Sequence, residues 1–136
     1  MLQQQVTAVR GDVPRGLSLF ANFVQADRDT ATIDQLITLG LFYTGPFDAR
    51  PQDDLGFAVG RTHVNNNVAQ GQTLQNANGL GPVAVQTSEY PVELYYSFNI
   101  SNWLVLRPNI QYIYHPGGIN ENTNVVLIGL KASEKF

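Results

Sequence analysis

Apolar and polar residues alternate with a period of two along most of this chain, and clusters of turn-forming residues separate the alternating runs. No apolar stripe with the 3.6-residue period of a helix continues for a useful length. Seven runs predict β-strands at residues 2–10, 16–26, 34–44, 54–64, 88–100, 103–114 and 124–136. The predicted fold class is therefore all-β, as an antiparallel up-and-down meander of about seven strands.

Two neighbouring strands show the two-sided pattern most clearly. In strand 88–100, one face carries Tyr90, Val92, Leu94, Tyr96, Phe98 and Ile100, and the other carries Glu89, Glu93, Tyr95, Ser97 and Asn99. In strand 103–114, Leu104, Leu106, Pro108, Ile110, Tyr112 and Tyr114 oppose Arg107, Asn109 and Gln111. A short turn at Ser101-Asn102 would bring like faces together, so that the polar sides form one continuous wall.

Alternation alone does not say which of the two faces points inward. If the apolar face meets lipid, the strands are part of a transmembrane β-barrel, whose spanning strands need ~9–11 residues each. If it points inward, the chain is a soluble β-barrel or sandwich that binds a small ligand. Aromatic residues near the strand ends favour the membrane barrel, because they are typical of interfacial girdles. Phe136 and Trp103 would lie at the periplasmic rim, and Tyr90, Tyr112 and Tyr114 at the outer rim.

The connections fit the alternation of short periplasmic turns and longer outer loops that such barrels show. Counted back from a periplasmic C-terminus, loop 115–123 and stretch 65–87 fall outside, and the Ser101-Asn102 turn falls on the periplasmic side. Stretch 65–87 is rich in Asn, Gln and Gly and has too few apolar residues for a core of its own. It is therefore predicted to be a mobile surface loop and the least ordered part of the chain.

Composition narrows the classes of protein further. Hydrophobic residues make up 43% of the chain and charged residues only 14%, below the ~25% usual in soluble domains. The net charge of −3 and the scattered Lys and Arg residues give no basic stripe, so nucleic acid is not expected as a partner. Cysteine is absent, which excludes disulfides and thiolate metal sites. Residues 1–14 lack the features of a secretory signal, so we expect an N-terminally incomplete chain.

The sequence gives only weak signs of a catalytic site. His63 and His115 have no neighbouring carboxylate and serine at suggestive positions and no metal-ligand spacing, and the acidic groups at 27–29 and 53–54 are typical of turns. No catalytic residue, metal site or cofactor is predicted, so the chain is not expected to be an enzyme. Arg61 and His63 share the outward parity of Leu55 and Phe57, where they would contact lipid phosphates, unless a local bulge turns them inward.

The segment Glu89–Gly118 resembles the C-terminal signature of the carbohydrate-selective, OprB-like porin family: a glutamate before a Tyr-rich strand, a short turn, W-L-x-L-x-P-x-x-Q-Y, and then P-G-G. Residues 15–23, 39–47 and 50–56 are also similar to that family. The resemblance implies a barrel of about sixteen strands in the bacterial outer membrane. It also implies that glucose and related sugars diffuse passively through this barrel into the periplasm.

In that interpretation, residues 1–136 are the C-terminal part of a single porin domain, because about seven strands cannot close such a barrel. The implied partners are sugars in transit, outer-membrane lipid, and the barrel-assembly machinery, which would recognise the last strand through Phe136.

The inward face supplies the candidate pore-lining, sugar-contacting residues: Glu93, Tyr95, Asn99, Arg107, Asn109, Gln111 and Lys131. Charged and amide side chains offer sugar hydroxyls both donors and acceptors without a deep binding trap. We expect pairing across the Ser101-Asn102 turn to place Glu93 and Arg107 at about the same level of the wall. A lumenal salt bridge that stiffens the wall remains the alternative role for this pair.

Overall fold

The computed structural model describes residues 1–9 and 14–134, and it folds them as one antiparallel sheet whose seven strands follow each other in sequence order. The strands are β1 (Leu2–Gln5), β2 (Gly16–Gln25), β3 (Ile33–Thr44), β4 (Asp54–Val64), β5 (Ser88–Asn99), β6 (Leu104–Tyr114) and β7 (Val125–Glu134). An α-helix, α1 (Asn66–Ala77), and a 3₁₀ turn at Pro116–Gly118 complete the elements. The predicted meander is confirmed. No helix in the described residues has the length and apolar character needed to cross a membrane.

Strand ends differ from the predicted ones where the ladder is interrupted. Of the predicted strand 2–10, whose last residue lies outside the described residues, the regular ladder with β2 extends to Gln5. The next two amides, those of Val6 and Thr7, both donate to the carbonyl of Leu17, at 2.7 and 3.3 Å, and so leave the regular ladder. One further bond follows, from Val9 N to Arg15 O at 3.0 Å. Trp103 lies in the turn before β6, which is closed by a 3.0 Å bond from Ile100 N to Leu104 O. Phe136, predicted at the periplasmic rim, lies outside the described residues.

The two faces of the sheet are those that the alternation predicts. Leu94 lies opposite Ile110, and Phe98 lies opposite Leu106, so these side chains share the apolar face. Leu94 and Ile110 are 46% and 45% exposed, and Val64 is the one apolar side chain of the described chain that is buried. The sheet therefore has no apolar core of its own. This apolar face is open in the described sheet, as the lipid-facing side of a membrane barrel is.

The prediction of a mobile surface loop at 65–87 missed α1, which occupies the first half of this stretch. That the stretch is the least ordered part of the chain stays a prediction. None of the helix residues is buried, so there is no apolar stripe for a sequence pattern to show. Asn65 is the N-cap of the helix: its side chain accepts from Asn67 N at 3.0 Å and donates to the carbonyls of Arg28 and Ala31 at 2.6 and 2.8 Å. This side chain both caps the helix and ties it to the neighbouring loop.

Gln and Asn side chains hold the remainder of that stretch. Gln72 and Gln86 bond each other at 2.8 Å, and the Asn76 side chain bonds the backbone N–H and the carbonyl of Val83 at 2.7 and 2.9 Å. A composition rich in such polar residues predicts disorder, but in this structure their side chains form the hydrogen bonds that hold the stretch in place.

At the opposite end of the sheet, a buried carboxylate organises the connection 45–53, which is the connection left between the predicted strands 34–44 and 54–64. Asp53 is 1% exposed. It accepts hydrogen bonds from the Arg50 guanidinium, from the Tyr96 hydroxyl at 3.0 Å and from the backbone N–H of Asn99 at 2.9 Å. The Arg50 guanidinium also lies 5.5 Å from the centre of the Phe98 ring. The connection is thus clamped onto the end of β5.

Burial by itself would raise the pKa of Asp53, but the hydrogen bonds from Arg50, Asn99 N–H and Tyr96 outweigh burial and hold that pKa below its ordinary value. Since the carboxyl titrates lower in the folded state than in the unfolded state, its stabilising contribution is complete above about pH 4, the unfolded value. The contribution is lost as the pH falls through the folded pKa.

We expect Asp53→Asn to lower the free energy of unfolding by about 2 kcal/mol at neutral pH, because buried donors lose a charged acceptor. Heat-induced unfolding of a complete detergent-solubilised barrel, followed on gels at several pH values, measures the effect. The loss should shrink below pH 4. Asp48→Asn is the control, because the Asp48 side chain, in the same connection, is 85% exposed and its ion pair with Arg15 is worth little. Equal effects of the two variants would contradict the clamp.

Candidate functional site

The candidate residues come together on the inner face of β5, β6 and β7 through the pairing register. Glu93 lies opposite Gln111, and Tyr95 lies opposite Asn109. Arg107 in turn lies opposite Lys131. Directly opposed residues of an antiparallel pair point to the same side of the sheet. The polar face predicted from the alternation is therefore one continuous wall.

A hydrogen bond between neighbouring strands fixes the carboxylate of that wall. Asn109 Nδ2 donates to Glu93 Oε1 at 2.6 Å, and Asn109 is only 7% exposed. Asn109 has room for this because Gly129 of β7 lies opposite it. A Cβ atom at position 129 would be 2.3 Å from Asn109 Oδ1. The glycine is thus part of the site, since a larger residue would displace the amide that holds Glu93.

A stacked pair fixes the cation of the wall. The Arg107 guanidinium lies 4.4 Å from the centre of the Tyr95 ring, and its Nε donates to Ser97 Oγ at 2.7 Å. Ser97 is 1% exposed. The Tyr95 ring lies over Gly56 of β4, where an added Cβ would be 2.1 Å from the ring carbon Cζ. With Nε engaged, the two terminal amino groups of Arg107 are the donors available to a solute.

The expectation that Glu93 and Arg107 share one level of the wall is wrong. Gln111 of β6 is the partner of Glu93, and Arg107 lies four residues closer to the Ser101-Asn102 turn than Gln111 does. Directly opposed residues of antiparallel strands lie at the same height, so Glu93 lies farther from the turn than Arg107. Each charge has a neutral partner, Asn109 for Glu93 and Ser97 for Arg107. The described ion pairs do not include the alternative salt bridge between them.

Two of the candidates have surroundings that differ from the rest. Asn99 shares the inner parity, but its side chain donates to Gln52 O and its backbone N–H to Asp53, so it is tied to the connection 45–53 at the rim. Lys131 is exposed and faces Arg107, which places two positive charges side by side on this part of the wall.

The sequence pattern missed Gly56 and Gly129 as parts of the site. It showed a small face on β4 but not that Gly56 makes room for Tyr95 of the following strand, or that Gly129 makes room for Asn109 of the preceding strand. A glycine inside a strand is the available signal, because it often marks a close approach of a neighbouring group.

Arg61 and His63 keep the outward parity that the sequence predicts, opposite Ile37 and Gln35. The register shift lies in β3, between Ile33 and Gln35, and not in β4. The residue at this shift, Asp34, is 3% exposed and contacts His63 Nδ1 at 2.6 Å. Arg61 donates to the side chains of Gln35 and Ser88, at 3.2 Å each. Both residues belong to a polar cluster at this rim.

A family model described as "carbohydrate-selective porin, OprB family" matches residues 1–136. The chain belongs to this family. Porin B of Pseudomonas aeruginosa is 46% identical over 141 residues, and the putative porin QuiX of Acinetobacter baylyi is 35% identical over 143 residues. Each match covers 98% of this chain but only 31% and 33% of the relative, respectively. The chain thus spans about a third of the length of these relatives.

Solved structures of an OprB porin are also similar to this chain, in both sequence and fold. The high-pH structure of Pseudomonas putida OprB matches with a TM-score of 0.91 and 49% identity, and the low-pH structure of that protein with a TM-score of 0.69 and 43% identity. Both matches cover 98% of this chain and 34% of the solved chain. The predicted family and fold are confirmed: the sheet corresponds to part of an OprB barrel. OprB-family proteins are porins of the Gram-negative outer membrane, as the sequence predicts for this chain.

Gly56→Ala should destabilise the wall by roughly 1–3 kcal/mol, because the new methyl group overlaps the Tyr95 ring. In a Tyr95→Ala background the same change should cost much less, since the ring is gone. A double-mutant cycle on unfolding of the complete barrel measures this coupling. Equal costs in the two backgrounds would show that the ring does not depend on Gly56.

Proposed function

We propose that this chain forms part of the wall of an outer-membrane pore through which glucose and related sugars diffuse passively into the periplasm. The observation that carries the proposal is the pairing of an open apolar face with a wall of positioned hydrogen-bonding groups, in a chain of the carbohydrate-selective porin family. The strands described here would contribute the C-terminal part of one barrel domain of about sixteen strands.

The wall supplies both kinds of hydrogen-bonding partner that a sugar hydroxyl needs. Glu93 accepts, the Arg107 amino groups donate, and the Gln111 amide does both. The side chains around Glu93 and Arg107 hold them in place, so a solute meets groups whose positions are already fixed. No bond of the solute has to break, and we therefore assign the chain to a channel and not to an enzyme.

The pore needs strands beyond the sheet described here. β1 and β7 are the two edges of that sheet, and in lipid each unpaired backbone group costs several kcal/mol. Further strands of a complete barrel would pair with both edges. We also propose that the assembly machinery recognises this chain through β7 and through Phe136, which follows that strand in the sequence.

Arg107→Ala should slow glucose flux and shift ion preference towards cations, because donors and a positive charge are lost while Glu93 stays. Liposome swelling with glucose and single-channel selectivity measure the two effects on one preparation. Arg107→Lys is the control: it should keep the ion preference but lose part of the sugar flux, since an ammonium lacks the planar guanidinium. Unchanged flux and selectivity in an inserted Arg107→Ala barrel would refute the role of this residue.

Ile110→Arg should impair membrane insertion, because a charge facing mid-bilayer lipid costs about 2–4 kcal/mol. The neighbouring change Gln111→Arg puts the same side chain on the inner face and should leave insertion intact. The folded fraction recovered in outer membranes measures both. Similar losses in the two variants would contradict the assignment of the faces.

A further inference from the structure

The inner face contains a small recess between the middle parts of β3, β4, β5 and β6. Its lining includes Thr38, Ala58, Gly60, Pro91, Glu93 and Gln111, and its volume is about 100 Å³. A water molecule occupies ~30 Å³ in the liquid, and pockets that enclose drug-sized ligands measure ~300–1,000 Å³. The recess therefore fits the edge of a small polar solute without enclosing it.

Small residues and a proline keep the recess open. Ala58 lies opposite Glu93, and Gly60 lies opposite Thr38, so β4 places almost no side-chain volume between these polar groups. The pairing of β4 with β5 is interrupted between the pair Val59–Val92 and the pair Thr62–Glu89. Pro91 lies in this interruption, and it has no N–H to donate to the ladder. Pro91 Cγ is 3.1 Å from where a Cβ of Gly60 would be, so its ring forms one side of the recess.

The polar groups of the recess have unused hydrogen-bonding capacity. Asn109 engages Oε1 of Glu93, whereas the described residues make no hydrogen bond to Glu93 Oε2, to the Gln111 amide or to the Thr38 hydroxyl. Glu93 and Gln111 are directly opposed, and such pairs have Cβ atoms ~4.5–5.5 Å apart. An acceptor and a mixed donor and acceptor are thus presented side by side, next to an apolar ring.

We propose that this recess is a subsite for a pair of neighbouring hydroxyls of a monosaccharide in transit. Glu93 Oε2 accepts from one hydroxyl, the Gln111 amide bonds the other, and the C–H edge of the sugar ring contacts Pro91. The subsite rests on the proposed function, since only a sugar-conducting lumen brings such a solute to this wall. It goes further than that function, because it assigns binding to one position and one pattern of hydroxyls.

Two variants test the subsite by different means in a complete barrel that contains these strands. Ala58→Val fills the recess and leaves every polar group in place, whereas Gln111→Leu removes the amide at nearly constant size. The probe is glucose, and the measured quantity is the glucose concentration that half-saturates the reduction of ion current in planar bilayers. Ser133→Val is the control, because it adds bulk to an exposed inward position of β7, opposite Val105 and away from the recess.

Each of the two variants should raise the half-saturating concentration roughly fivefold, about the effect of one lost hydrogen bond, and Ser133→Val should not change it. If Ala58→Val does not insert, Gln111→Leu decides by itself. An unmodified barrel that conducts glucose, combined with unshifted variants, would overturn the subsite and leave the proposed function standing. A shift of equal size in Ser133→Val would also overturn the subsite. An unmodified barrel that neither conducts nor binds glucose would refute both.

Discussion

Every backbone N–H and C=O of a strand in lipid needs a partner from another strand, and the rest of this structure depends on that requirement. The described chain meets it with antiparallel ladders between consecutive strands, from β1 to β7. Apolar burial within the described part of the chain contributes little, since Val64 is the one buried apolar residue among the described residues. Because the backbone ladders and the lipid stabilise the sheet, the inner face does not have to form an apolar core and can be polar.

The sheet ends are where the ladders stop, and buried polar groups take over there. Asp53 accepts hydrogen bonds from β5 and from its own connection. At the other end, Asn65 ties the start of α1 to the carbonyls of Arg28 and Ala31, and Asp34 joins β3 to β4 through His63. Each of these three side chains is at most 3% exposed. Buried polar groups of this kind are stabilising only when they are fully bonded, which explains why several elements converge on each of them. The rims are thus held by a few side chains, and the strands between them by many backbone bonds.

The sequence predicted most of what depends on alternation and little of what depends on register. Leu94 and Ile110 were assignable to one face by counting in twos, because a strand allows only two sides. Helix α1 was not, since polar residues such as Gln72 and Asn76 form no stripe and stabilise it through side-chain bonds. The roles of Gly56 and Gly129 depend on which residue lies opposite, and one strand's own pattern does not contain that information.

The register also decides what the charges of the wall can do. An ion pair between Glu93 and Arg107 would satisfy both groups and leave a neutral, stiff patch. Their separation along the wall gives each a neutral partner instead, and Asn109 and Ser97 orient the charges without cancelling them. In the proposed pore, a solute passing the wall would therefore meet an acceptor region and a donor region in succession. Such an arrangement would favour molecules that can exchange one hydrogen bond for the next, and a polyhydroxylated solute does this more easily than an ion, whose separation from its counter-charge costs free energy.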